Sequence, residues 1–179
     1  EALASAAQVD VHTSPLIHAE QGAVSGTFAM TPAQRWWFEQ QVSQPHHWNQ
    51  SLMVTMSEPP DQTRLAGAIR RVLEQHDGLR SRFDPTNDLT GWIEPAVSSD
   101  KVLVVIDLGT LAESEVPAAI TCEAERYQQS LDLEQGPLFR VVLFHRGVQR
   151  RATLLFIAHH LVVDGVSWRA EDGHITGLL

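Results

Sequence analysis

Alternating apolar and polar residues predict a series of β-strands. Between Ser51 and Ser57 the apolar residues Leu52, Val54 and Met56 share one face of an alternating pattern, which indicates a strand with one buried face. The segment Val102–Ile106 is apolar throughout, and we therefore expect a strand that is buried on both faces. Three further strands are expected: Leu79–Phe83, which leaves the turn at Gly78, and the two long strands Leu138–His145 and Thr153–His160.

Three segments predict helices. Thr31 is a favourable N-cap and is followed by a proline, so we expect a helix over Ala33–Val42. Asp61 caps a second helix that ends at Gly78 and has an apolar stripe at helical spacing, formed by Leu65, Ile69, Val72 and Leu73. A third helix is expected within Glu113–Leu131. Because strands and helices do not alternate as strict βαβ units, we predict an α/β (α+β) fold with helices packed on a mixed sheet.

Length and composition indicate one folded domain of ordinary globular character. The chain has 179 residues, of which 43% are hydrophobic and 20% are charged. Residues 1–27 are rich in Ala, Ser, Gln and Gly and show no sustained period. We expect a linker or a loosely tethered arm over this segment.

Charge and cysteine content exclude several classes of function. Thirteen basic against twenty-two acidic residues give a net charge of −9, so we expect no nucleic-acid binding, which requires basic surfaces. We expect no membrane segment, because no apolar run approaches roughly 20 residues, and no signal peptide. The single cysteine, Cys122, is expected half-buried on a helix and is typical of a reducing compartment. These features predict a soluble, cytoplasmic protein.

The segment His159–Gly165 carries the candidate chemistry. It follows an apolar strand, in which side chains alternate between faces, so His160 is expected on the face of Ala158 and His159 on the opposite face. One histidine alone is therefore predicted to act on a substrate atom. Gly165 would let a backbone or a ligand approach closely. We expect Asp164 to hold the loop through an ion pair, for which Arg80 and Arg82 are the candidate partners.

This pair of histidines has three other interpretations. Adjacent histidines on opposite faces chelate a metal poorly, so no metal site is predicted. A nucleophilic triad would need Ser167, the one serine close to His160 in the sequence. A histidine pair at the end of a strand is also often purely structural. The complete pattern of His159, His160, Asp164 and Gly165 favours a functional site, because four fixed residues rarely coincide by chance.

This pattern, HHxxxDG, resembles the signature of the condensation-domain superfamily of nonribosomal peptide synthetases. The flanking sequence VVDGVSWR at 162–169 resembles the epimerization branch of that superfamily. Three earlier segments resemble the same family in the same order: MTPAQRWWFEQ at 30–40, PHHWNQS at 45–51 and LEQHDGLRSRF at 73–83. The resemblance thus extends over most of the chain.

The resemblance implies a fold and a set of roles. It implies one lobe of a chloramphenicol-acetyltransferase-like fold, whose two lobes enclose a tunnel with the histidine motif at its floor. We expect residues 28–169 to form the N-terminal lobe. Carried over by position, His160 is the acid/base residue, His159 supports the loop and Asp164 is the structural partner of an arginine. Ser167 and Trp168 are candidates for the wall of the substrate channel.

The implied activity is epimerization of the α-carbon of an aminoacyl or peptidyl thioester. A histidine suits this reaction, since it can remove and return a proton near neutral pH. The resemblance implies no metal and no directly bound cofactor, because the phosphopantetheine arm of a carrier protein brings the substrate. It also implies a glutamate from the second lobe as the second proton carrier.

The last residues depart from the family pattern, and three alternative functions are open. Residues 170–179 diverge from the family pattern, and Gly173 and Gly177 weaken the helix that should follow. We expect the second lobe to be absent, so that catalysis requires a C-terminal lobe as partner. A condensation domain, in which His160 assists amine attack on the thioester, is one alternative, and a non-catalytic fragment that docks a carrier protein is another. An acyltransferase acting on a coenzyme A ester would leave the WWF and VSWR segments unexplained.

Overall fold

The computed structural model describes residues 22–84, 90–147, 150–165 and 167–168. Its helices are α1 Pro32–Glu39, α2 Gln62–Gln75, α3 Ser99–Val102 and α4 Val116–Gln128. Its strands are β1 Gly26–Ala29, β2 Asn49–Met56, β3 Ser81–Phe83, β4 Thr90–Ile93, β5 Leu103–Asp107, β6 Phe139–His145 and β7 Ala152–His159. Most of the expected arm, up to residue 21, and the divergent segment 170–179 lie outside the described residues.

The helices α1 and α2 begin at the predicted caps. The Thr31 hydroxyl accepts the backbone N–H of Gln34 at 3.3 Å, and the Gln34 side chain accepts the backbone N–H of Thr31 at 2.9 Å, which forms a capping box. The carboxylate of Asp61 accepts the N–H of Arg64 at 2.8 Å. The helix α1 ends at Glu39 rather than Val42, since the chain turns through a positive φ of 49° at Gln41.

The strands form two sheets. A four-stranded sheet has the order β2-β7-β6-β5, in which β5 and β6 are parallel and the other pairs are antiparallel. A three-stranded antiparallel sheet has the order β1-β4-β3. The larger sheet confirms the predicted mixed sheet with helices packed on it. Its two central strands, β6 and β7, are the most deeply buried.

Helices cover both faces of the larger sheet. Leu154, Phe156 and Ala158 of β7 pack in one core with the apolar stripe of α2. Leu155 and Ile157 pack in a second core with α4 on the opposite face. The predicted alternation along this strand is therefore confirmed, and it continues into the two histidines that follow. Burial of each large apolar side chain contributes about 1.5–3 kcal/mol to holding this strand in place.

Three local predictions were wrong. The strand β5 lies at the edge of its sheet and Val105 is 38% exposed, so the continuous apolar run does not indicate burial on both faces. Leu79 and Arg80 belong to a 3₁₀ turn, Asp77–Arg80, that precedes the short strand β3. Cys122 is exposed rather than half-buried, because Ile120, Ala124 and Tyr127 form the face of α4 that meets the core.

The described helices include none that is both long and apolar enough to cross a lipid bilayer.

Candidate active site

The end of β7 directs two adjacent histidines to different surroundings. His159 is the last residue of the strand and is fully buried, whereas His160 begins the following turn and is half-buried. The backbone N–H of His160 donates to the carbonyl of Trp48 at 2.8 Å, which ties the turn to the segment before β2. The predicted separation of the two imidazoles is therefore confirmed.

His159 joins two loops. Its Nε2 donates to the carbonyl of Pro45 at 2.8 Å, and its Nδ1 accepts the backbone N–H of Leu161 at 3.2 Å. The edge of its ring contacts Trp37 of α1 at a centroid distance of 5.5 Å. Burial lowers the pKa of His159 from 6.5 to about 4, although the hydrogen bond to Pro45 acts in the opposite direction. These contacts are the ones expected of a residue that supports the loop.

We expect this buried histidine to make the folded chain acid-sensitive. An unfolded chain takes up the proton near pH 6.5, while the folded chain resists it until about pH 4, so protons favour unfolding over this interval. The expected loss in the free energy of unfolding is about 3 kcal/mol once the pH has fallen to 4. Urea denaturation of the chain at a series of pH values measures this loss.

The matched variant is His159→Gln. Glutamine keeps an N–H donor for the carbonyl of Pro45 but does not titrate in this interval. The variant is less stable at neutral pH, but its stability should fall by less on acidification. If the two proteins showed the same pH dependence, His159 would not be the group responsible.

His160 is held by contacts on both ring nitrogens and on its face. Its Nδ1 lies 2.9 Å from the carbonyl oxygen of Val163, which can only accept, so Nδ1 carries a proton. Its Nε2 lies 3.1 Å from Nε2 of Gln50 on β2. The ring of Trp48 lies against the imidazole, with the ring centroids 4.6 Å apart. Contacts from three segments thus fix the orientation of the imidazole.

An open cleft of about 420 Å³ lies beside His160. Its walls come from the start of α1, from Trp48 and from the turn after β7. The lining residues are Thr31, Ala33, Gln34, Trp36, Trp48, His160, Leu161, Val162, Val163, Asp164 and Ser167. Trp36 is 58% exposed, which leaves a large apolar surface at the mouth of the cleft. The volume lies within the range of small-molecule sites, with a few polar groups among apolar walls.

Asp164 and Ser167 close the turn that forms one side of the cleft. The carboxylate of Asp164 accepts both the backbone N–H and the hydroxyl of Ser167, each at 2.9 Å. The Ser167 oxygen in turn accepts the backbone N–H of Asp164 at 3.2 Å. Because the Ser167 proton is donated to Asp164, the structure does not support Ser167 as a nucleophile activated by His160.

A sequence model of one protein family matches residues 24–170 of the chain. That model describes the Condensation domain. The chain belongs to the Condensation domain family. The superfamily predicted from the histidine motif and the segments before it is therefore confirmed.

Individual relatives place this Condensation domain chain among nonribosomal peptide synthetases. A linear gramicidin synthase protein of Brevibacillus parabrevis is 42% identical over 92% of the chain, which spans 3% of that protein. The solved epimerization domain from the third module of tyrocidine synthetase B is 34% identical, with a TM-score of 0.74, over 89% of the chain. The starter condensation domain of rhizomide synthetase is 28% identical, with a TM-score of 0.63, over 79% of the chain. The chain spans 35% and 36% of these two solved chains.

Arg80, the first candidate partner of Asp164, makes a different ion pair in this Condensation domain chain. It is 1% exposed and pairs with Asp77, three residues earlier. Its guanidinium also donates to the carbonyl oxygens of Leu73, Val24 and Glu94. The 3₁₀ turn folds Arg80 back into the protein, and this local geometry gives it a nearer carboxylate than the expected one.

Arg82, the second candidate, is also buried among other groups. It donates to the carbonyl of its neighbour Ser81 at 2.7 Å, and its guanidinium packs against Gly136. Burial lowers the pKa of Arg82, while the carboxylates of Glu94 and Asp132 act in the opposite direction. Both arginines therefore belong to the packing between β3, β4 and the segment before β6.

The structure leaves the prediction for Gly165 open and contradicts the one for Trp168. A Cβ at Gly165 would meet no atom of the described chain within 4 Å, so the close approach expected there involves none of the described backbone. Trp168 packs against the core on the α2 side and is not among the described residues that line the cleft. Its indole N–H donates to the side chain of Gln50 at 2.7 Å.

The sequence analysis did not predict a role for two residues of the site. Gln50 and Trp48 contact the His160 ring directly, yet the sequence showed them only within a segment that resembled the family. The signal that could have identified Gln50 is the pairing of β2 with β7. Gln50 lies opposite Ala158, and cross-strand partners share a face, so Gln50 is on the face of His160.

In the described part of the chain, no three His, Cys, Asp or Glu side chains come together in a group that could hold a metal ion.

Proposed function

We propose that this chain is the N-terminal lobe of an epimerization domain. The domain would invert the α-carbon of an aminoacyl or peptidyl thioester during nonribosomal peptide synthesis. The observation that carries the proposal is the position of His160, an oriented imidazole in the wall of an open cleft. The higher TM-score with the solved epimerization domain, 0.74 against 0.63 for the starter condensation domain, supports this branch of the family.

The proposed reaction needs one proton to leave and another to return. Nε2 of His160 takes the proton from the α-carbon, and the electron pair of the broken C–H bond moves into the thioester carbonyl to give an enolate. A second acid then delivers a proton to the opposite face of the planar carbon, and the enolate electrons form the new C–H bond. Acid–base help of this kind contributes about 10²–10⁴-fold to the rate. We propose that the second acid is the glutamate that the family resemblance assigns to the other lobe.

The cleft has the chemistry expected for a substrate delivered on a flexible arm. Trp36, Trp48 and Leu161 provide apolar surface, while Thr31 and Gln34 add polar groups at its wall. We propose that the phosphopantetheine arm of a carrier protein lies in this cleft and brings the thioester to His160. The carrier protein and the C-terminal lobe are then the partners of the chain, and no metal or separately bound cofactor takes part.

We also propose an arrangement of the chain. Residues 28–169 would form the lobe, together with Gly26 and Thr27, which belong to β1 rather than to the arm expected over residues 1–27. The residues before them would form the arm that connects the lobe to the carrier protein. The family match over residues 24–170 supports this extent. A cytoplasmic location, expected from the single cysteine, belongs to the same proposal.

A second candidate function is peptide bond formation. The matching family model and the starter condensation domain with 28% identity favour it. In that reaction His160 would assist attack of an amine on the thioester, and an amide would replace the carbon–sulfur bond.

Incubation of the complete domain with a loaded carrier protein distinguishes the two reactions. In deuterium oxide an epimerase is expected to exchange the α-hydrogen of the bound aminoacyl group for deuterium and to give a mixture of both stereoisomers. Mass spectrometry of the released amino acid and chiral chromatography measure the two effects. A dipeptide without α-deuterium would show condensation instead, and carrier binding with neither product would show a docking lobe.

A further inference from the structure

Three hydrogen bonds connect the site from Trp168 to the turn after β7. The indole N–H of Trp168 lies 2.7 Å from Oε1 of Gln50. Nε2 of Gln50 lies 3.1 Å from Nε2 of His160. Nδ1 of His160 lies 2.9 Å from the carbonyl oxygen of Val163. This series of hydrogen bonds thus begins at an indole N–H, which can only donate, and ends at a carbonyl oxygen, which can only accept.

Those fixed ends determine every role between them. An indole nitrogen can only donate, so the side chain of Gln50 must present its oxygen to Trp168. Its NH₂ group then faces His160, and an amide NH₂ can only donate. Nε2 of His160 must therefore accept, which leaves its proton on Nδ1, where the Val163 carbonyl accepts it. All three bonds are satisfied by one neutral tautomer of the imidazole.

We propose that Gln50 is a positioning residue that, together with the Val163 carbonyl, holds His160 in this tautomer and keeps Nε2 unprotonated, with its lone pair available as a base. The inference rests on the proposed function, in which Nε2 receives the α-proton. His159 shows the contrast, since its carbonyl partner Pro45 lies on Nε2 and its Nδ1 accepts from Leu161. Two adjacent histidines thus have opposite tautomers because their partners differ.

The position of Gln50 also connects it to the proton transfer. Nε2 has one in-plane lone pair, and the NH₂ group of Gln50 occupies it, so the amide must turn away before the α-proton can reach Nε2. Trp168 holds the amide oxygen and so opposes this movement. Once Nε2 is protonated, its N–H and the NH₂ group of Gln50 are both donors and cannot bond to each other. A change at Gln50 should therefore alter the rate of the proton-transfer step more than the binding of the substrate.

The decisive variant is Gln50→Glu. A glutamate has nearly the same shape and still accepts from Trp168, so the tether between β2 and the turn is kept. It has no donor for His160 and its carboxylate accepts instead, while the Val163 carbonyl still accepts from Nδ1, so we expect both ring nitrogens to carry a proton. Nitrogen-15 spectra of the histidine side chains of this chain distinguish a neutral imidazole from a doubly protonated one. The control, Gln62→Glu, makes the same change at an exposed position in the first turn of α2 and should leave the His160 signals unchanged.

A second variant and an activity measurement complete the test. Trp168→Phe removes the N–H that fixes the Gln50 side chain, so the amide can also turn its oxygen towards His160, and we expect a mixture of rings with and without a proton on Nε2. In the complete domain, Gln50→Glu should lower kcat between about tenfold and 100-fold with little change in KM, as part of the contribution of acid–base catalysis.

The outcomes separate this inference from the proposed function. A proton on Nε2 in the unchanged chain, or an unprotonated Nε2 in Gln50→Glu, would overturn the role of Gln50. If the protonation of Nε2 responds as expected but the complete domain exchanges no α-hydrogen, the role of Gln50 at the ring stands and epimerization fails. A fall in thermal stability alone, with kcat and the protonation of Nε2 unchanged, would show a merely structural contact.

Discussion

Replacing His160 by alanine in the complete domain should slow exchange of the α-hydrogen by about 10²–10⁴-fold, the usual contribution of a general acid–base group. The loss should appear mainly in kcat, because the cleft walls formed by Trp36, Trp48 and Leu161 remain. Deuterium incorporation into a carrier-bound aminoacyl group, followed with time, measures the rate. The ring contact with Trp48 also disappears, so the thermal midpoint of the variant should be recorded alongside.

A suitable control is His47→Ala. His47 is exposed in the segment before β2, and its side chain is not part of the described cleft. This variant should retain the exchange rate of the unchanged domain. If His160→Ala retained the rate as well while remaining folded, His160 could not be the base, and another group would have to remove the α-proton.

The arrangement of the two histidines could be predicted from the sequence because it depends on one regular element. A β-strand places successive side chains on opposite faces, and the apolar residues before His159 show where the strand runs. The helix caps at Thr31 and Asp61 could be predicted for the same reason, since a cap bonds to a backbone group three residues away. Each of these features is determined locally.

Gln50 could not be assigned a role in the same way. Its contact with His160 joins residues 110 positions apart and requires the pairing of β2 with β7 in one register. A shift by one residue would turn the Gln50 side chain to the other face. The edge position of β5 could not be predicted for a related reason. An apolar run does not show whether its strand pairs with a neighbouring strand on one side or on both.

The ion-pair partner of Arg80 could not be predicted, because a motif in the sequence does not show which charged side chains come together. Arg80 follows α2 by only a few residues, and the 3₁₀ turn between them places it on Asp77. The carbonyl oxygens of Leu73 and Glu94 accept further hydrogen bonds from it and belong to two different segments. Arg80 therefore has a structural role, and its removal should have a large effect on stability.

Replacing Arg80 by alanine should lower the free energy of unfolding by at least about 3 kcal/mol. Arg80 is 1% exposed, and its removal leaves the carbonyl oxygens of Leu73 and Val24 without the donors that lie 2.8 and 3.0 Å away. Asp77 loses its ion pair at the same time. Urea denaturation followed by tryptophan fluorescence measures the change. The control Arg70→Ala removes an arginine whose side chain is 64% exposed and should change stability by less than about 0.5 kcal/mol.

Two double-mutant cycles test which carboxylate forms an ion pair with Arg80. Combining Arg80→Ala with Asp77→Asn should give a coupling energy of about 1–3 kcal/mol, because the two side chains are in contact. Combining it with Asp164→Asn should give a coupling within about 0.5 kcal/mol of zero, because the ion pair of Arg80 is with Asp77 and the described hydrogen bonds of Asp164 are with Ser167. Strong coupling between Arg80 and Asp164 would restore the ion pair that the family resemblance implied. Strong coupling to Asp77 alone would show that Arg80 stabilises β3 and β4 and takes no part in the chemistry of His160.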